Sequence, residues 1–308
     1  LRENSFVTQF LRLHDLNDIR QAAAWLICSY PVGDQGAYLE TLQRMTAANE
    51  PSFRTIAIEA SNEDERGVAI AQLLAGRSAL IWPLRVDKPR FCVDVLQSLL
   101  QELRDVGVLV AQTLSAPEQH EQKAVFLSAG FCDGGRLLYM AAERSRFLTE
   151  LPVSDLEFAV VSPDDPALAA VVAASYAGSL DCPLVDGWRP INDVLAGYRA
   201  TGTYRSGLWR LIQRRGENVG CLLLSDFSEQ KHGELTYLGV DPQFRGQGIG
   251  QLAMQWLLNF AWKMEWQHIV LAVDAQNGPA LRIYQTAGFQ EIAQRQLVVF
   301  RVSQAACP

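Results

Sequence analysis

The residues best suited to chemistry in this 308-residue chain lie in one run, Val240-Asp241-Pro242-Gln243-Phe244-Arg245-Gly246-Gln247-Gly248-Ile249-Gly250. Glycines at alternate positions remove the Cβ, so successive backbone N–H groups can turn toward one anion. The run opens into a segment with Ile249, Ala253, Trp256, Leu257, Phe260 and Met264 on one face at helical spacing. That places the amides at a helix N-terminus, where the dipole also favours negative charge. Such a loop suits a pyrophosphate. Two commoner phosphate loops fail on spacing: G-x-x-x-x-G-K-[ST] does not occur, and the G-x-G is followed by Ile249-Gly250-Gln251 rather than x-x-Gly.

The elements that must hold this loop follow from periodicity. Residues 158–161 alternate like a strand, 166–176 are alanine-rich and helical, and a turn-rich stretch 177–190 leads into a helix over 191–198. Strands are expected at 208–213, 219–226 and 234–240, the last ending at the glycine loop. After the long helix come a strand at 269–273, a helix at 279–286 and a last strand at 297–302. This order predicts a mixed α/β (α+β) domain of about 150 residues, a central mixed sheet flanked by helices.

The same order occurs twice. Ala129-Gly130-Phe131 recurs as Ala287-Gly288-Phe289, an offset of 158, which also sets Leu99-Leu100 on Leu257-Leu258 and Phe126 on Tyr284. Upstream, Val86-Asp87 matches Val240-Asp241 at an offset of 154, so the first copy is four residues shorter there. The charged, turn-like stretch 143–155 is the expected boundary, giving domains 1–147 and 148–308.

A second cluster, Asp274-Ala275-Gln276-Asn277-Gly278-Pro279-Ala280 followed by Tyr284 and Gly288-Phe289, begins 34 residues after Val240, where the loop run starts. Arg245-x-x-Gly248-x-Gly250 after a strand end, with this cluster behind it, resembles the acetyl-CoA motifs of the GCN5-related N-acetyltransferase (GNAT) superfamily. The resemblance covers residues 156–302, and 5–142 only through the duplication. Tandem members of the superfamily exist, mycothiol synthase among them, and the layout here is similar. The resemblance implies that amides of Arg245, Gly246, Gln247, Gly248, Ile249 and Gly250 hold a CoA pyrophosphate. It implies that Leu238, Gly239 and Val240 pair with the pantetheine arm, and that Asn277 touches the cofactor. Tyr284 would be general acid for the leaving thiolate, and Glu234, six residues before Val240, stands where some relatives place a general base. Asp181, Trp188, Asp193 and Tyr198 fall where the family shapes its acceptor site. The implied reaction is acetyl transfer from acetyl-CoA to a primary amine of a small molecule or peptide. The alternatives are acetylation of a sugar-linked amine, as in mycothiol synthase, and a non-catalytic acyl-CoA-binding regulator.

Several of these residues also have a purely structural reading. Asn277 before Pro279 suits a helix start, Tyr284 suits a core aromatic, and Glu234 suits a solvated strand end. Asp near Pro190 is what a helix start prefers. In the first copy, residues 87–93 contain no glycine, Phe126 stands for Tyr284 and Gln119 for Asn277. The first copy is therefore expected to be degenerate, without the pyrophosphate loop.

Composition narrows the partners. Basic and acidic residues number 15 and 19 in 1–150, and 12 and 15 in 151–308. Neither half has the basic excess of a phosphate-backbone binder, so nucleic acid is not an expected partner. The six cysteines and four histidines are dispersed, with no C-x-x-C or H-E-x-x-H, so no metal is expected and the cysteines read as free thiols. Without an apolar run of membrane length or a signal-peptide core, the expected location is cytoplasmic, with no membrane partner.

Overall fold

The computed structural model describes residues 9–30, 32–46, 55–61, 66–85 and 89–302. The described elements begin with β1 (Gln9–Leu13), α1 (Leu16–Ile27), α2 (Val32–Thr46), β2 (Thr55–Ser61), β3 (Arg66–Leu74), β4 (Ser78–Ile81), α3 (Pro89–Asp105), β5 (Val110–Ser115) and α4 (His120–Ser128). They continue with β6 (Cys132–Glu143), β7 (Leu156–Val160), α5 (Pro166–Tyr176), α6 (Ile191–Arg199), β8 (Trp209–Arg214), β9 (Glu217–Phe227) and β10 (His232–Val240). The last are α7 (Ile249–Lys263), β11 (His268–Asp274), α8 (Gly278–Thr286) and β12 (Gln290–Arg301). These fall into two compact units, one from Leu1–Gly134 with Gln296–Pro308, the other from Gly135–Arg295.

In the first unit β1 to β4 pair antiparallel in sequence order, and β4 pairs parallel with β5. On its other edge β5 takes residues 296–301 of β12, antiparallel, from Gln296↔Ser115 to Arg301↔Val110. Helix α3 packs Val95, Leu96, Leu99, Leu100 and Leu103 into this unit's core with Val298 and Phe300 of that strand. The expected glycine-free segment begins outside the described residues at 86–88. From Pro89 onward it is already helix α3.

In the second unit β7, β8, β9 and β10 pair antiparallel in order, β10 pairs parallel with β11, and β11 takes residues 137–143 of β6 on its far side. Apolar side chains of strands and helices close its core, including Leu222, Leu224, Leu257 and Ile269. Helix α7 buries Ile249, Ala253, Met254, Leu257, Leu258 and Ala261. Trp256 and Phe260, expected on that face, sit at its half-buried margin, where Phe158 stacks on Trp256 at 4.6 Å.

The duplication is visible element by element. β5 and β11, α4 and α8, and β6 and β12 begin 158 residues apart, while β4 and β10 begin 154 apart. The repeated turns also match: Gly130 and Gly288 have φ of +95° and +90°. Phe131 N donates to Phe126 O at 3.1 Å and Phe289 N to Tyr284 O at 3.0 Å.

The unit boundaries differ from a single cut after residue 147. The chain enters the second unit inside β6 and leaves it inside β12, so the final strand of each repeat completes the sheet of the other unit. Repeated elements explain why the sequence is silent here: β5 and β11 offer equivalent edges, and alternating apolar patterning suits either one. The expectation of free thiols also changes. Cys28, Cys182 and Cys221 are free thiols, but Cys132 is disulfide-bonded, because scattered spacing does not show which sulfurs the fold brings together. No described helix is long and apolar enough to cross a membrane.

Candidate active site

The site begins where two parallel strands part. β10 and β11 pair from His232↔His268 to Leu235↔Leu271 and no further. A register shift between Leu235 and Tyr237 on the β9 side bends β10 away at this point. The resulting cleft is a cavity of about 270 Å³, walled by Leu235 to Val240 on one strand and by Ala272 and Val273 on the other. Asp241 N donates to Val219 O at 3.0 Å, so alternation along the antiparallel pair turns the N–H and C=O of Leu238 away from β9 and into the gap.

One end of the cleft is the glycine loop. A single 3-10 turn over Pro242–Phe244 follows the strand, capped by the Asp241 carboxylate, which accepts from Gln243 N at 2.9 Å. Gly246 and Gly248 then take φ of +74° and +78°, and a Cβ built on either meets nothing within 4 Å. The N–H groups of Gly246, Gln247 and Gly248 meet no acceptor among the described residues, and those of Ile249 and Gly250 belong to the first turn of α7, where helices leave donors unpaired. Five consecutive amide donors without a protein acceptor among the described residues, beside open space, fit an anion. The Arg245 amide differs from the others, donating to Pro242 O at 3.3 Å. Its guanidinium is also engaged within the fold, bonding Ser175 O at 2.7 Å, Gly178 O at 3.1 Å and Val240 O at 3.2 Å. Arg245 thereby ties the C-terminal turn of α5 to the end of β10. The Gln247 side chain bonds Gln243 O and accepts from Arg214.

At the other end stand α8 and the loop after α5. Asn277 caps α8, its Oδ1 accepting from Ala280 N at 3.3 Å, and it also lines the cavity. Its structural and cofactor readings are thus compatible, since the amide nitrogen remains for a ligand. Tyr284 is only 8% exposed yet forms part of the cavity wall, and its hydroxyl bonds no group among the described residues. Burial and then the charge of Asp181 hold its proton more tightly than an ordinary phenol does. Asp181 lines the same cavity and accepts from Asp274 N at 2.9 Å. The Asp274 carboxylate in turn accepts from Cys182 N and Gln276 N. Loss of hydration in the cleft raises the Asp181 pKa, the bond from Asp274 N lowers it, and the charge of Asp274 raises it.

The remaining sequence candidates separate. Tyr198 stacks on Tyr237 at 5.2 Å and shares a 2.7 Å hydrogen bond with the Tyr176 hydroxyl. The Tyr237 hydroxyl bonds Ser175 Oγ at 2.8 Å, and both of these residues line the cavity. Trp188 and Asp193 are not on the cavity wall: Trp188 closes a turn on Val185 O and Asp193 sits in the first turn of α6. Glu234 is half-buried on β10 opposite Ser225, one residue before the wall begins, and burial raises its pKa. Sequence reasoning missed Ser175, Tyr176, Tyr237 and Asp274 as parts of this site. Asp274 alone had a signal, its place at the head of the second motif.

The match to a known protein family falls within this unit. Residues 184–289 match the family model described as the acetyltransferase (GNAT) family. Over 58 residues the chain is 40% identical to mycothiol acetyltransferase of Acidothermus cellulolyticus, covering 19% of this chain and 18% of that protein. The chain spans 18%, 43% and 53% of the lengths of three curated relatives it matches. A crystal structure of a GCN5-related N-acetyltransferase from Sphaerobacter thermophilus aligns with a TM-score of 0.60 at 16% identity, covering 97% of each chain. A tandem GNAT protein from the clavulanic acid biosynthesis pathway aligns with a TM-score of 0.51 at 12% identity, over 97% of this chain and all of that one. Residues 184–289 are thus similar to the GNAT acetyltransferase family, and the chain shares its fold with these two solved structures.

Proposed function

We propose that the second unit transfers an acetyl group from acetyl-CoA to a primary amine. The observation that carries this reading is the cleft itself: unpaired loop amides at one end, an unpaired strand edge at Leu238 along its wall, and the Tyr284 hydroxyl and Asp181 carboxylate at the other end. Acetyl-CoA supplies a thioester-activated acetyl group. The amides of Gly246 to Gly250 hold its pyrophosphate, Leu238 to Val240 pair with the amide-bearing arm, and Asn277 contacts it. Tyr284, which keeps its proton at neutral pH, gives that proton to the departing thiolate. Asp181 faces the incoming amine. Glu234, with its raised pKa, takes the amine's proton directly or through water, since only the neutral amine attacks a carbonyl. Holding both partners in one cleft supplies much of the acceleration. The first unit is read as a degenerate copy that does not bind acetyl-CoA.

The local identity to mycothiol acetyltransferase favours a second reading of the acceptor, a sugar-linked amine. Thiol release from acetyl-CoA, measured over small amines, amino-sugars, aminoglycosides and peptides with the acceptor-free rate subtracted, decides between the acceptors. Binding of acetyl-CoA without acceptor-dependent release across the panel would instead favour an acyl-CoA-binding regulator.

A further inference from the structure

The two repeats place different side chains at one position, the third residue of the helix after β5 or β11. It is Gln122 in α4 and Ala280 in α8, 158 residues apart. In the second unit Ala280 lines the cleft together with Leu238, whose N–H and C=O face the gap. The residue matching Leu238 in the first unit is Leu84, 154 residues earlier. The register supports that match, since Ser78 of β4 faces Val110 of β5 as His232 of β10 faces His268 of β11.

At Leu84 both polar backbone groups are already satisfied. Its N–H donates to Gln122 Oε1 at 3.0 Å, and its C=O accepts from Gln122 Nε2. Gln122 is buried, 7% exposed, and Leu84 is 2% exposed. A buried side-chain amide is tolerated when donor and acceptor both find partners. Here a single residue, three beyond the end of β4, provides both, as a strand edge would for a neighbouring strand or for an extended ligand carrying an amide.

We propose that this helix position gates the cleft: Gln122 fills the first unit's cleft with the chain's own amide, while Ala280 leaves the second open to an amide-bearing arm. The ligand side of this inference rests on the acetyl-CoA reading above; the closure of the first cleft does not.

The test transplants the gate in the full-length chain. Ala280→Gln should let the new amide bond Leu238, slowing hydrogen exchange of the Leu238 N–H at least tenfold and weakening acetyl-CoA binding at least tenfold by calorimetry. Gln122→Ala should speed exchange at the Leu84 N–H at least tenfold, and this arm stands even if Ala280→Gln does not fold. The unsubstituted chain should bind one acetyl-CoA. Unchanged Leu84 exchange in Gln122→Ala, a folded Ala280→Gln with unaltered Leu238 exchange and affinity, or two acetyl-CoA per chain would each overturn the gate. Exchange behaving as stated while the unsubstituted chain binds no acetyl-CoA would uphold the gate and remove the cofactor reading.

Discussion

Gly248→Asp separates the fold of the glycine loop from its ligand. Gly248 caps α7 at φ +78° and ψ 0°, with no protein atom within 4 Å of a Cβ placed on it. A side chain therefore fits, but an L-residue must hold a left-handed backbone at about 1–2 kcal/mol. A carboxylate at a helix N-terminus offsets about 0.3–1 kcal/mol of that. The net loss of folding stability is about 1 kcal/mol, small enough for the protein to remain folded. Against a pyrophosphate on the same amides, the carboxylate opposes at least one negative charge at about 4 Å, worth about 4 kcal/mol at an effective dielectric of 20. That corresponds to roughly a 10³-fold weaker Kd. Gly248→Ala carries the backbone cost without the charge, so the ratio of the two affinities isolates the electrostatic part. Acetyl-CoA titration by calorimetry, with thermal unfolding recorded alongside, measures both quantities. A folded Gly248→Asp protein with a Kd within tenfold of the unsubstituted chain would refute the loop as the pyrophosphate seat.

Tyr284→Phe keeps the buried ring and removes the donor, so kcat should fall by roughly 10² to 10⁴ with acetyl-CoA affinity nearly intact; a fall of less than about threefold would return Tyr284 to the core. For Glu234, a raised carboxyl pKa stabilises the fold below the ordinary value of 4.5, and that stabilisation is lost as pH rises through the folded-state pKa. Glu234→Gln does not ionise there, so its Tm should gain on the unsubstituted protein as pH rises from about 4 to 8, and a base role further requires the acidic limb of the pH–rate profile to change. A Tm gap that stays constant with pH would contradict the burial of the carboxylate, and an unaltered acidic limb would contradict the base role. Residues 148–308 expressed alone lack the 137–143 strand that borders β11 and leave 296–301 without β5; this fragment should show no cooperative thermal transition by circular dichroism, and a sharp one would contradict the exchanged strands.

Much of the candidate site was legible because its signals are local. Glycines at 246 and 248, Pro279 in the first turn of α8 and the apolar spacing of α7 each act on backbone angles or helix faces within a few residues, and the structure has them in the expected elements. The face of α7 was read about one position off, because Trp256 and Phe260 have the polarity of core residues but lie at the margin, where Arg210 covers both rings. Among the acceptor candidates, Asp181 and Asp193 looked alike in sequence. Which one reaches the cavity depends on where the loop after α5 meets the end of β11, a contact spanning 93 residues.

By itself the sequence determined the glycine loop, the order of elements and the repeat at an offset of 158, since periodicity, turn chemistry and φ preferences operate over a few neighbouring residues. Only the tertiary structure decided the rest. The exchange of β6 and β12 is nearly degenerate in local energy, because each repeat presents the same edge and the choice lies in packing across the whole unit. The Arg245 amide reads as a pyrophosphate donor until the turn gives it to Pro242 O, and only the fold brings its guanidinium to carbonyls 67 and 70 residues away. Gln122 is an ordinary helical glutamine until α4 meets the segment that follows β4, when burial obliges its amide and the backbone of Leu84 to satisfy one another.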